Sequence, residues 1–497
     1  MLSKELERAR AWEAQADIPP AERPLFHLTP TVGWLNDPNG FSVYKGAYHL
    51  FYQYNPYSVH WGPTHWGHCI SNDLLRWERL PAALAPDTDY DRAGCFSGTA
   101  AETPDGRQVL MYTGVRKELL PDGSERELET QCVAIGDGVD YEKYLSNPVI
   151  TGRNLPDGGS TWDFRDPKLW REGDVWYAAV ANRTEDGSGA ILLYASPDLE
   201  RWEYLRTLDR SENRWGRMWE CPDLFQLDGE TVLLVSPQEL ENPDGRFRKG
   251  HEVLCILGDW DGKEKRFTRK SIQPVDQGLD FYAPQTVLTP DGRRVLIAWM
   301  QAWGASELVP EGQRWFGQMT LPRELRVRDG KLLQVPVREL EAYRSTGRSW
   351  AAVSLEGRME LPGVFGRTLD LSLRLRPQKG EAFSRFTLEL AKDERRATRL
   401  DYEPEQNRLT LDRSRSGFPA GAADRRSVSV ADRGGELELR VILDRYSVEV
   451  FVNGGEQVLS ATLYTPQEAE GISFEVRGRA LMDLEHHTLN TDDRRPF

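Results

Sequence analysis

The chain has 497 residues, 39% of them hydrophobic and 28% charged, and this length predicts two or more domains in a globular protein, although large all-β units can exceed the usual domain size. Lys and Arg number 63 against 78 Asp and Glu, a formal net charge of −15, and the absence of a basic run that could follow a phosphate backbone disfavours nucleic acid as a partner. No apolar run approaches the ~20 residues that cross a membrane, and five scattered cysteines without C-x-x-C spacing argue against a disulfide framework and a zinc cluster.

The chain begins with a segment of helical composition, from Ser3 to about Ala16, and Pro19 and Pro20 end it. This N-terminus is rich in Lys, Arg and Glu and lacks the apolar stretch of a secretory signal, which predicts a cytoplasmic location. From Phe26 onward, short stretches rich in Tyr, Trp, Val, Ile and Phe alternate with clusters of Gly, Asp, Asn and Pro. Because helices of the length that a βαβ unit requires are missing, the first 330 or so residues are predicted to be all-β.

The first candidate for chemistry is the string Trp34-Leu-Asn-Asp-Pro-Asn-Gly40. Pro38 disfavours helical backbone at Asp37 and fixes its own φ, and Asn39-Gly40 is a strong turn signal. We therefore predict a rigid turn that displays Asp37 on its rim.

An internal repeat follows. The pattern S-x-D-L-x-x-W occurs at Ser71–Trp77 and again at Ser196–Trp202, with weaker copies at Gly136–Tyr141 and Gly258–Phe267. The terminal aromatic residues lie at 77, 141, 202 and 267, in steps of 64, 61 and 65 residues. A period of this length that holds several short strands predicts a β-propeller, and the region has room for five blades.

The pattern changes near Val335, where residues 336–341 indicate a short helical linker. Beyond it, Leu437, Leu439, Val441 and Leu443 alternate with polar residues, as antiparallel strands with one apolar face do in a sandwich. The predicted organisation is all-β: an N-terminal helical segment (1–25), a five-bladed β-propeller catalytic domain (26–335), a linker (336–344) and a C-terminal β-sandwich (345–497).

Two further strings resemble the first in character. Phe164–Lys168 places Asp166 before a proline, and Glu220 stands two residues before another proline. A propeller gathers the inner strands of all its blades around one axis. Because Asp37, Asp166 and Glu220 are 129 and 54 residues apart, about two blades and about one, they are predicted to face the same end of the central channel.

These strings closely resemble the three signature motifs of family 32 glycoside hydrolases, the invertases and other β-fructofuranosidases. The resemblance covers the catalytic region nearly end to end and implies a five-bladed propeller joined to a β-sandwich, in agreement with the repeat. Further matching strings are His65–His68, Phe96–Gly98, Asp280–Gln285 and Leu321–Arg323.

The resemblance implies that Asp37 is the nucleophile, Glu220 the general acid/base and Asp166 a stabiliser of the transition state. Cleavage with retention uses one ionised carboxylate and one protonated carboxyl, ~5–5.5 Å apart. Asp37 is expected to stay ionised through neighbouring donors, and Glu220 to have a raised pKa from mutual repulsion and an apolar wall such as Trp219. Asp166 is expected to bind furanose hydroxyls, with Arg165 keeping it ionised.

The same resemblance implies a pocket for the terminal fructose. Asn36, Gln53 and Ser97 would bind hydroxyls, and Trp61 and Trp299 would supply apolar faces. Phe96 is assigned to the same pocket. Beside the proposed acid, Cys221 is interpreted as a small filler and not as a nucleophile.

Other patterns do not indicate a functional site. His60, His65 and His68 suggest a metal site, but the resemblance places them in a structural strand and turn. Asp87–Asp91 opens like a calcium loop, yet Arg92 and Gly98 stand where its Gly and its closing Glu belong. Asn182–Thr184 matches a glycosylation acceptor that would be idle without secretion. We predict neither a cofactor nor a metal.

The leading hypothesis is a cytoplasmic β-fructosidase that acts on sucrose or short fructo-oligosaccharides by double displacement. Three alternatives stay open: a fructosyltransferase, which would share the catalytic trio, a sugar-binding protein without catalysis, and a hydrolase of sucrose 6-phosphate. The last requires a basic residue near O6 of one sugar, which the sequence does not place. The expected partner is a small carbohydrate, with no nucleic acid and no membrane, and homo-oligomerisation is left open.

Overall fold

A computed structural model describes residues 2–241, 247–418, 421 and 423–490. Regular structure in this part of the chain is almost entirely β, which confirms the predicted fold class. No helix among the described residues is long and apolar enough to cross a membrane.

The N-terminal segment contains one α-helix, α1 (Lys4–Glu13), and a 3-10 turn at Pro20–Glu22. Ser3 is the N-cap of α1 because its hydroxyl accepts a hydrogen bond from the backbone N–H of Leu6 at 3.2 Å. Leu6 and Ala9 are buried in a small apolar cluster with Ala82 and Ala85 of the first blade. This cluster holds the helix against the outer edge of the propeller. The helix ends at Glu13, several residues before Pro19 and Pro20.

Within the described residues, five sheets of four consecutive or nearly consecutive strands form the blades of a propeller. Blade I contains β1 (Gly33–Tyr44), β2 (Ala47–Asn55), β3 (His65–Ser71) and β4 (Glu78–Leu84). Blade II contains β5 (Gly94–Glu102), β6 (Gln108–Leu119), β7 (Glu125–Gly136) and β8 (Tyr141–Lys143). Blade III contains β9 (Gly159–Glu172), β10 (Val175–Thr184), β11 (Gly189–Ser196) and β12 (Glu203–Arg210).

Blade IV contains β13 (Met218–Leu227), β14 (Glu230–Gln238), β15 (Leu254–Asp261) and β16 (Arg266–Pro274). Blade V contains β17 (Tyr282–Leu288), β18 (Arg294–Trp299), β20 (Arg323–Arg328) and β21 (Lys331–Pro336), and the short β19 (Trp315–Phe316) pairs in parallel with β1 of blade I. The first strand of each blade contacts the first strands of the neighbouring blades, so these five strands surround the central axis. Further 3-10 turns lie at Gly152–Asn154 and Trp303–Ala305.

The sequence repeat is the turn that leads into the outermost strand of a blade. In its two best copies the aspartate, Asp73 or Asp198, accepts hydrogen bonds from backbone N–H groups two and three residues later. The leucine that follows has a positive φ in both copies, 67° at Leu74 and 70° at Leu199. The aromatic residue then precedes or begins the fourth strand, which confirms the predicted blade repeat and the five blades.

Each innermost strand carries an irregularity at the same level. The pairing register with the second strand shifts at Leu35/Pro38 in β1, Phe96/Gly98 in β5, Arg165/Lys168 in β9, Glu220/Asp223 in β13 and Tyr282/Gln285 in β17. Such a bulge leaves residues unpaired and re-aims their side chains. Proline suits this place because it has no N–H to give to the ladder, and it stands there as Pro38, Pro167, Pro222 and Pro284.

This geometry corrects the prediction for Trp34–Gly40. The string is not a turn between strands but lies within β1, and the proline signal marks its bulge. Asp37 is 9% exposed and is therefore enclosed by the channel wall instead of standing on a rim.

Beyond β21, a 3-10 helix at Arg338–Tyr343 occupies the predicted linker, and a layered β-structure follows. The last strand of this unit, residues 471–489, is long and pairs with two different strands. Its residues 471–478 pair with the strand Phe383–Lys392, and its residues 480–488 pair with the strand Leu369–Pro377. A separate apolar core lies between the layers. The predicted domain ends at 497, beyond the last described residue, Asn490. Its strands are β22 (Arg344–Met359), β23 (Leu369–Pro377), β24 (Phe383–Lys392), β25 (Ala397–Glu403), β26 (Arg408–Arg415), β27 (Arg425–Ser429), β28 (Leu437–Asp444), β29 (Ser447–Val452), β30 (Gln457–Thr462) and β31 (Gly471–Leu489), with a 3-10 turn at Pro404–Gln406.

Buried charges join blade V and the stretch that precedes β1 to this second unit. Arg323 of β20 donates to Asp276 at 2.9 Å and to Glu449 of β29 at 2.6 Å, and all three side chains are fully buried. His27 bridges Asp444 at 2.8 Å and Glu449 at 2.9 Å. A buried pair of this kind is costly to break because the remaining charge has no partner.

His27 makes this junction sensitive to pH. Burial alone would lower its pKa, but the hydrogen bonds and charges of Asp444 and Glu449 outweigh burial and raise the pKa from 6.5 to about 9. When folding raises the pKa of a group, the protonated group stabilises the folded state. This stabilisation is complete at pH values below the pKa in the unfolded chain, and it is lost as the pH rises to the pKa in the folded chain. We therefore expect about 3 kcal/mol of folding free energy to be lost between pH 6.5 and about 9.

Thermal or denaturant unfolding at half-unit pH steps measures this loss. In His27→Gln the slope over that window should disappear, because glutamine does not titrate. His60→Gln is the matched control, since His60 is half exposed and pairs with the exposed Glu307. An unchanged slope in His27→Gln would assign the pH dependence to other groups.

Candidate active site

The bulges bring together side chains from four blades at one end of the central channel. The four bulges that contain a proline can be aligned on it. The residues directly before the proline are Asp37, Asp166, Cys221 and Ala283. The residues one position earlier are Asn36, Arg165, Glu220 and Tyr282. Cys221 contacts both Asp37 and Asp166, and Glu220 is hydrogen-bonded to both Arg165 and Tyr282. The three predicted carboxyl groups therefore lie in one cluster.

Asp37 is held by donors on both carboxylate oxygens. Its Oδ2 accepts from the hydroxyl of Ser97 at 2.7 Å and from the thiol of Cys221 at 3.5 Å, and its Oδ1 accepts from the amide of Asn36 at 3.1 Å. Burial and the charge of Glu220 raise the pKa of Asp37 from 3.8 to about 6, and the three donors oppose this rise. Asp37 is therefore ionised at neutral pH, as the sequence analysis expected.

Asp166 lies beside Asp37 in a strained backbone position. Its φ is 61°, a left-handed value that is unusual for a residue other than glycine. Its Oδ2 accepts from the backbone N–H of Cys221 at 3.1 Å and lies 3.6 Å from that residue's sulfur. Burial, followed by the charge of Glu220, raises the pKa of Asp166 well above its ordinary value, although Arg165 opposes the rise.

Arg165 binds different groups from the one expected. It is expected to keep its neighbour Asp166 ionised, and its charge does oppose the raised pKa of Asp166. Its hydrogen bonds go elsewhere: its Nε donates to Glu220 at 2.9 Å, and its Nη1 donates to both oxygens of Glu129, at 3.3 and 3.2 Å. Adjacent residues of a strand point in different directions, so the guanidinium turns away from the carboxylate beside it. Arg165 therefore joins Glu220 to a carboxylate of blade II.

Glu220 accepts three hydrogen bonds. Besides Arg165, the hydroxyl of Tyr282 donates to its Oε2 at 2.6 Å and the amide of Gln238 donates to the same oxygen at 2.7 Å. The expected apolar wall is absent at Trp219, which is fully buried in the core between blades III and IV and donates to Trp215 O. Trp219 precedes Glu220 on a strand and so points to the opposite face.

Glu129 is fully enclosed behind Arg165. It accepts from the backbone N–H of Phe164 at 2.6 Å, and burial raises its pKa to about 7 against the opposing charge of Arg165. Glu129 is thus the carboxylate that fixes the far end of the guanidinium, while the near end contacts Glu220.

Replacing Glu129 with Gln is expected to lower kcat about tenfold, because a neutral partner leaves the Arg165 guanidinium free to move and Glu220 loses its orientation. The pH profile of kcat/KM should shift at the same time, since the charge near Glu220 changes. Glu127→Gln on the same strand is the matched control, and a melting curve tests the fold of both variants. Wild-type kcat and pH profile in Glu129→Gln would exclude a role for this ion pair.

The residues predicted to bind sugar occupy two layers. Ser97 and Asn36 contact Asp37 directly, and the amide of Gln53 donates to Ser97 at 3.1 Å, so the three polar residues form one network. Phe96 precedes Ser97 on β5, and its ring meets Trp61 edge-on at 6.2 Å. Trp61 is 43% exposed and therefore offers a free face to solvent.

Trp299 departs from the expectation of an open aromatic face. It is 0% exposed and packs against Trp34 at 5.8 Å and Trp303 at 5.0 Å. Trp299 therefore supports the pocket from behind. Trp303, which follows β18 in a 3-10 turn, is the partly exposed member of this aromatic group.

Sequence reasoning gave no role to Tyr282, Gln238 or Glu129. The proline alignment could have identified Tyr282, because it occupies in β17 the position that Glu220 occupies in β13. Gln238 lies on the second strand of blade IV, directly across from Met218. Neither Gln238 nor Glu129 has a local sequence signal that marks it.

Other patterns from the sequence have structural places. His68 is fully buried and stacks on Phe51 at 4.1 Å, and His65 lies edge-on to Tyr57. Asp91 accepts from Lys143 at 2.5 Å. The amide of Asn182 is buried and donates to backbone oxygens at 2.7 and 2.8 Å, which leaves no free nitrogen to modify. Among the described residues, no group of three or more His, Cys, Asp or Glu side chains is arranged to hold a metal ion.

Cys221 contributes a protonated thiol to the cluster. Burial, followed by the charge of Asp166, raises the pKa of the thiol well above its ordinary value, so it is a donor at neutral pH and a poor nucleophile. It contacts Asp37 and Asp166, so it is a hydrogen-bond donor as well as the small filler that the sequence predicts. The site as a whole contains three carboxyl groups. Asp37 is ionised, Glu220 is held by an arginine and a tyrosine, and Asp166 lies beside Asp37.

Comparisons with known proteins identify the family of the chain. The family model described as "Glycosyl hydrolases family 32 N-terminal domain" matches residues 27–336, and the one described as "Glycosyl hydrolases family 32 C terminal" matches residues 339–489. The chain is 37% identical over 478 residues to a sucrose-6-phosphate hydrolase of Zymomonas mobilis, covering 93% of this chain and 90% of that protein.

Two further relatives are similar over nearly their whole length. A raffinose invertase of Escherichia coli is 37% identical over 465 residues, covering 92% of this chain and 93% of the relative. Among solved structures, a β-fructofuranosidase of Bombyx mori superposes with a TM-score of 0.82 at 35% identity, covering 98% of both chains.

Proposed function

Because the chain belongs to glycoside hydrolase family 32, we propose that it is a retaining β-fructofuranosidase that removes the terminal β-D-fructofuranosyl residue from sucrose and short fructo-oligosaccharides. The observation that carries the proposal is the convergence of Asp37, Asp166 and Glu220 on one end of the propeller channel, each in a different environment. The names of the curated relatives, all proteins that cleave sugars, support it.

In the first step, an oxygen of Asp37 attacks C2 of the fructosyl unit while the bond from C2 to the leaving oxygen breaks. The donors on Asp37 keep the carboxylate ionised and fix its direction. Glu220 gives its proton to the leaving oxygen, so that the leaving sugar departs as a neutral alcohol. The product of this step is a covalent fructosyl ester of Asp37.

In the second step, Glu220 takes a proton from water, and the water oxygen attacks C2. The ester bond breaks, Asp37 returns to the carboxylate and Glu220 ends protonated, ready for the next substrate. Tyr282 and Gln238 both donate to Oε2 of Glu220. These two hydrogen bonds fix the position of Oε2, and the hydrogen bond from Arg165 fixes the position of Oε1.

Asp166 is proposed to bind furanose hydroxyls next to the reacting carbon. Charge that develops on the ring in the transition state would strengthen hydrogen bonds to a carboxylate. The high pKa of the buried Asp166 indicates that a donor is needed to keep it ionised. Two sugar hydroxyls would supply such donors, and Asn36, Gln53 and Ser97 complete the set of polar contacts for the ring.

Sucrose 6-phosphate is a second candidate substrate, and a cation near the site favours it. Arg183 of β10 pairs with Asp163 at 3.4 Å and with Glu239 at 3.0 Å, and Asp163 in turn lies 3.6 Å from Arg165. The side chain of Arg183 is 27% exposed. It stands one ion pair away from Arg165, the arginine that holds Glu220.

Arg183→Gln is expected to lower kcat/KM for sucrose 6-phosphate about tenfold and to leave that for sucrose within about twofold, because only the phosphorylated substrate needs the cation. Arg206→Gln is the matched control, since Arg206 lies on the outermost strand of the same blade and is 35% exposed. Equal losses for both substrates would show that Arg183 only supports the site.

The proposed function is tested by incubating the purified protein with sucrose, sucrose 6-phosphate, 1-kestose and inulin, with fructose, glucose and transfer products all quantified. NMR of the first product formed reports the anomeric configuration, and β-fructofuranose supports retention. Release of α-fructofuranose would contradict the double displacement, and no release from any substrate by folded protein would contradict the hydrolase proposal.

A further inference from the structure

A cavity of about 490 Å³ lies in the second unit, far along the chain from the carboxylate cluster. It opens between the first and last strands of that unit and the turns beside them. We call it the sandwich cavity; the residues that define it are Thr346, Arg348, Phe365, Arg367, Arg445 and His486.

The three arginines of the sandwich cavity form no ion pair with an acid among the described residues. Among the described residues, no carboxylate oxygen lies within 4.0 Å of Arg348, Arg367 or Arg445. Arginines elsewhere in the second unit commonly form such pairs: Arg344 and Arg440 share Asp370, for example. In a chain with a net charge of −15, three arginines without acidic partners around one cavity create a local positive potential.

Arg367 shows the cost of this arrangement. It is 5% exposed, and its donors contact the Thr465 hydroxyl at 2.5 Å and the backbone oxygens of Pro466 and Arg445, while its buried Nε has no partner. Burial lowers the pKa of Arg367 to about 10. The charges of Asp444, Glu470 and Glu468 oppose this lowering without forming an ion pair with Arg367. A buried cation without a directly paired anion is destabilised relative to one that has such a partner.

The remaining lining supplies further donors and little negative charge. Arg348 is exposed and makes one long hydrogen bond, from Nη1 to Pro362 O at 3.3 Å, so most of its donors are available. Glu470 is the acidic residue in the lining, and burial lowers the pKa of His486, which is therefore neutral at pH 7. Among the side chains of the lining, three arginines against one glutamate leave two net positive charges.

We propose that the sandwich cavity binds a phosphate group, as inorganic phosphate or as the phosphate of a sugar monoester. A phosphate dianion matches the two net positive charges of the lining, and its oxygens accept the paired N–H donors of guanidinium groups. The ring of Phe365, 54% exposed beside the cavity, gives the apolar face on which a sugar carried by the phosphate can pack.

Occupation of this cavity would stabilise the fold. Arg445 donates to the backbone oxygens of Pro20 at 2.9 Å and Arg23 at 2.8 Å, and its own backbone oxygen accepts from Arg367. The arginines of the cavity therefore tie the N-terminal segment to the second unit. A ligand that binds the folded state alone raises the melting temperature by mass action.

The experiment titrates the full chain with sodium phosphate and, separately, with glucose 6-phosphate and glucose, at constant ionic strength, by calorimetry and by thermal unfolding. Saturable binding of at least one phosphate compound, a higher Tm and no response to glucose are expected. Inorganic phosphate that binds as tightly as glucose 6-phosphate would identify the free ion as the ligand, and tenfold tighter binding of glucose 6-phosphate would identify the monoester.

Arg348→Gln tests the location, because Arg348 is exposed and its loss should leave the Tm without ligand unchanged. Its Kd for the phosphate compound should rise about tenfold or more. Arg477→Gln, an exposed arginine on β31 outside the cavity lining, is the control and should change Kd by less than twofold. Absence of saturable binding, or binding that Arg348→Gln leaves unchanged, would overturn the proposal.

Discussion

Replacing Asp37 with Asn is expected to lower kcat about 10⁴-fold or more, since the nucleophile is lost while the shape of the side chain is kept. The amide can still contact Ser97 and Cys221, so substrate binding should change much less than turnover. Steady-state and single-turnover hydrolysis of sucrose measure the loss, and calorimetry with sucrose measures the retained affinity.

The same variant separates chemistry from stability. Burial and the charge of Glu220 raise the pKa of Asp37, so a neutral amide removes a strained charge, and the Tm should be unchanged or higher. Ser42→Ala on the same strand is the control for β1, because Ser42 lies outside the carboxylate cluster. Substantial sucrose hydrolysis by carefully purified Asp37→Asn protein would contradict the assignment of the nucleophile.

Glu220→Gln is expected to lower kcat for sucrose about 10²- to 10⁴-fold, because the leaving oxygen then lacks a proton donor. Substrates with good leaving groups need little protonation, so an aryl β-fructofuranoside should lose much less in its first step. Comparing burst-phase rates on sucrose and on such a substrate measures the difference. Equal losses on both would argue that Glu220 is not the acid.

This variant also predicts a shift in the pH profile. Asp37 must be ionised to attack, and its pKa of about 6 places the acidic limb of kcat/KM near pH 6. Because the charge of Glu220 is the second cause of that raised pKa, Glu220→Gln should move the limb to lower pH. Gln226→Glu on the same strand β13, farther from the carboxylate cluster, serves as a control and should leave the limb in place.

The fold was predictable to a large extent because its signals are local. The turns before the outermost strands of blades I and III need an aspartate to accept from nearby N–H groups, and that requirement acts within four residues. Alternating apolar residues, such as Leu437 to Leu443, indicate one buried face. The precise domain boundaries and the residue roles stay predictions that the variants above test.

The sequence by itself determined the five blades and the convergence of the three carboxyl groups. Prolines and the repeat spacing constrain the backbone over short distances, and the number of blades then determines which residues face the central axis. Tertiary structure alone decided the partners of those groups. Arg165 turns from Asp166 to Glu220 and Glu129, Tyr282 and Gln238 reach Glu220, and Trp299 lies behind the pocket. These contacts join different blades or depend on the bulges, and the direction of a side chain at a bulge follows from how neighbouring blades pack around it.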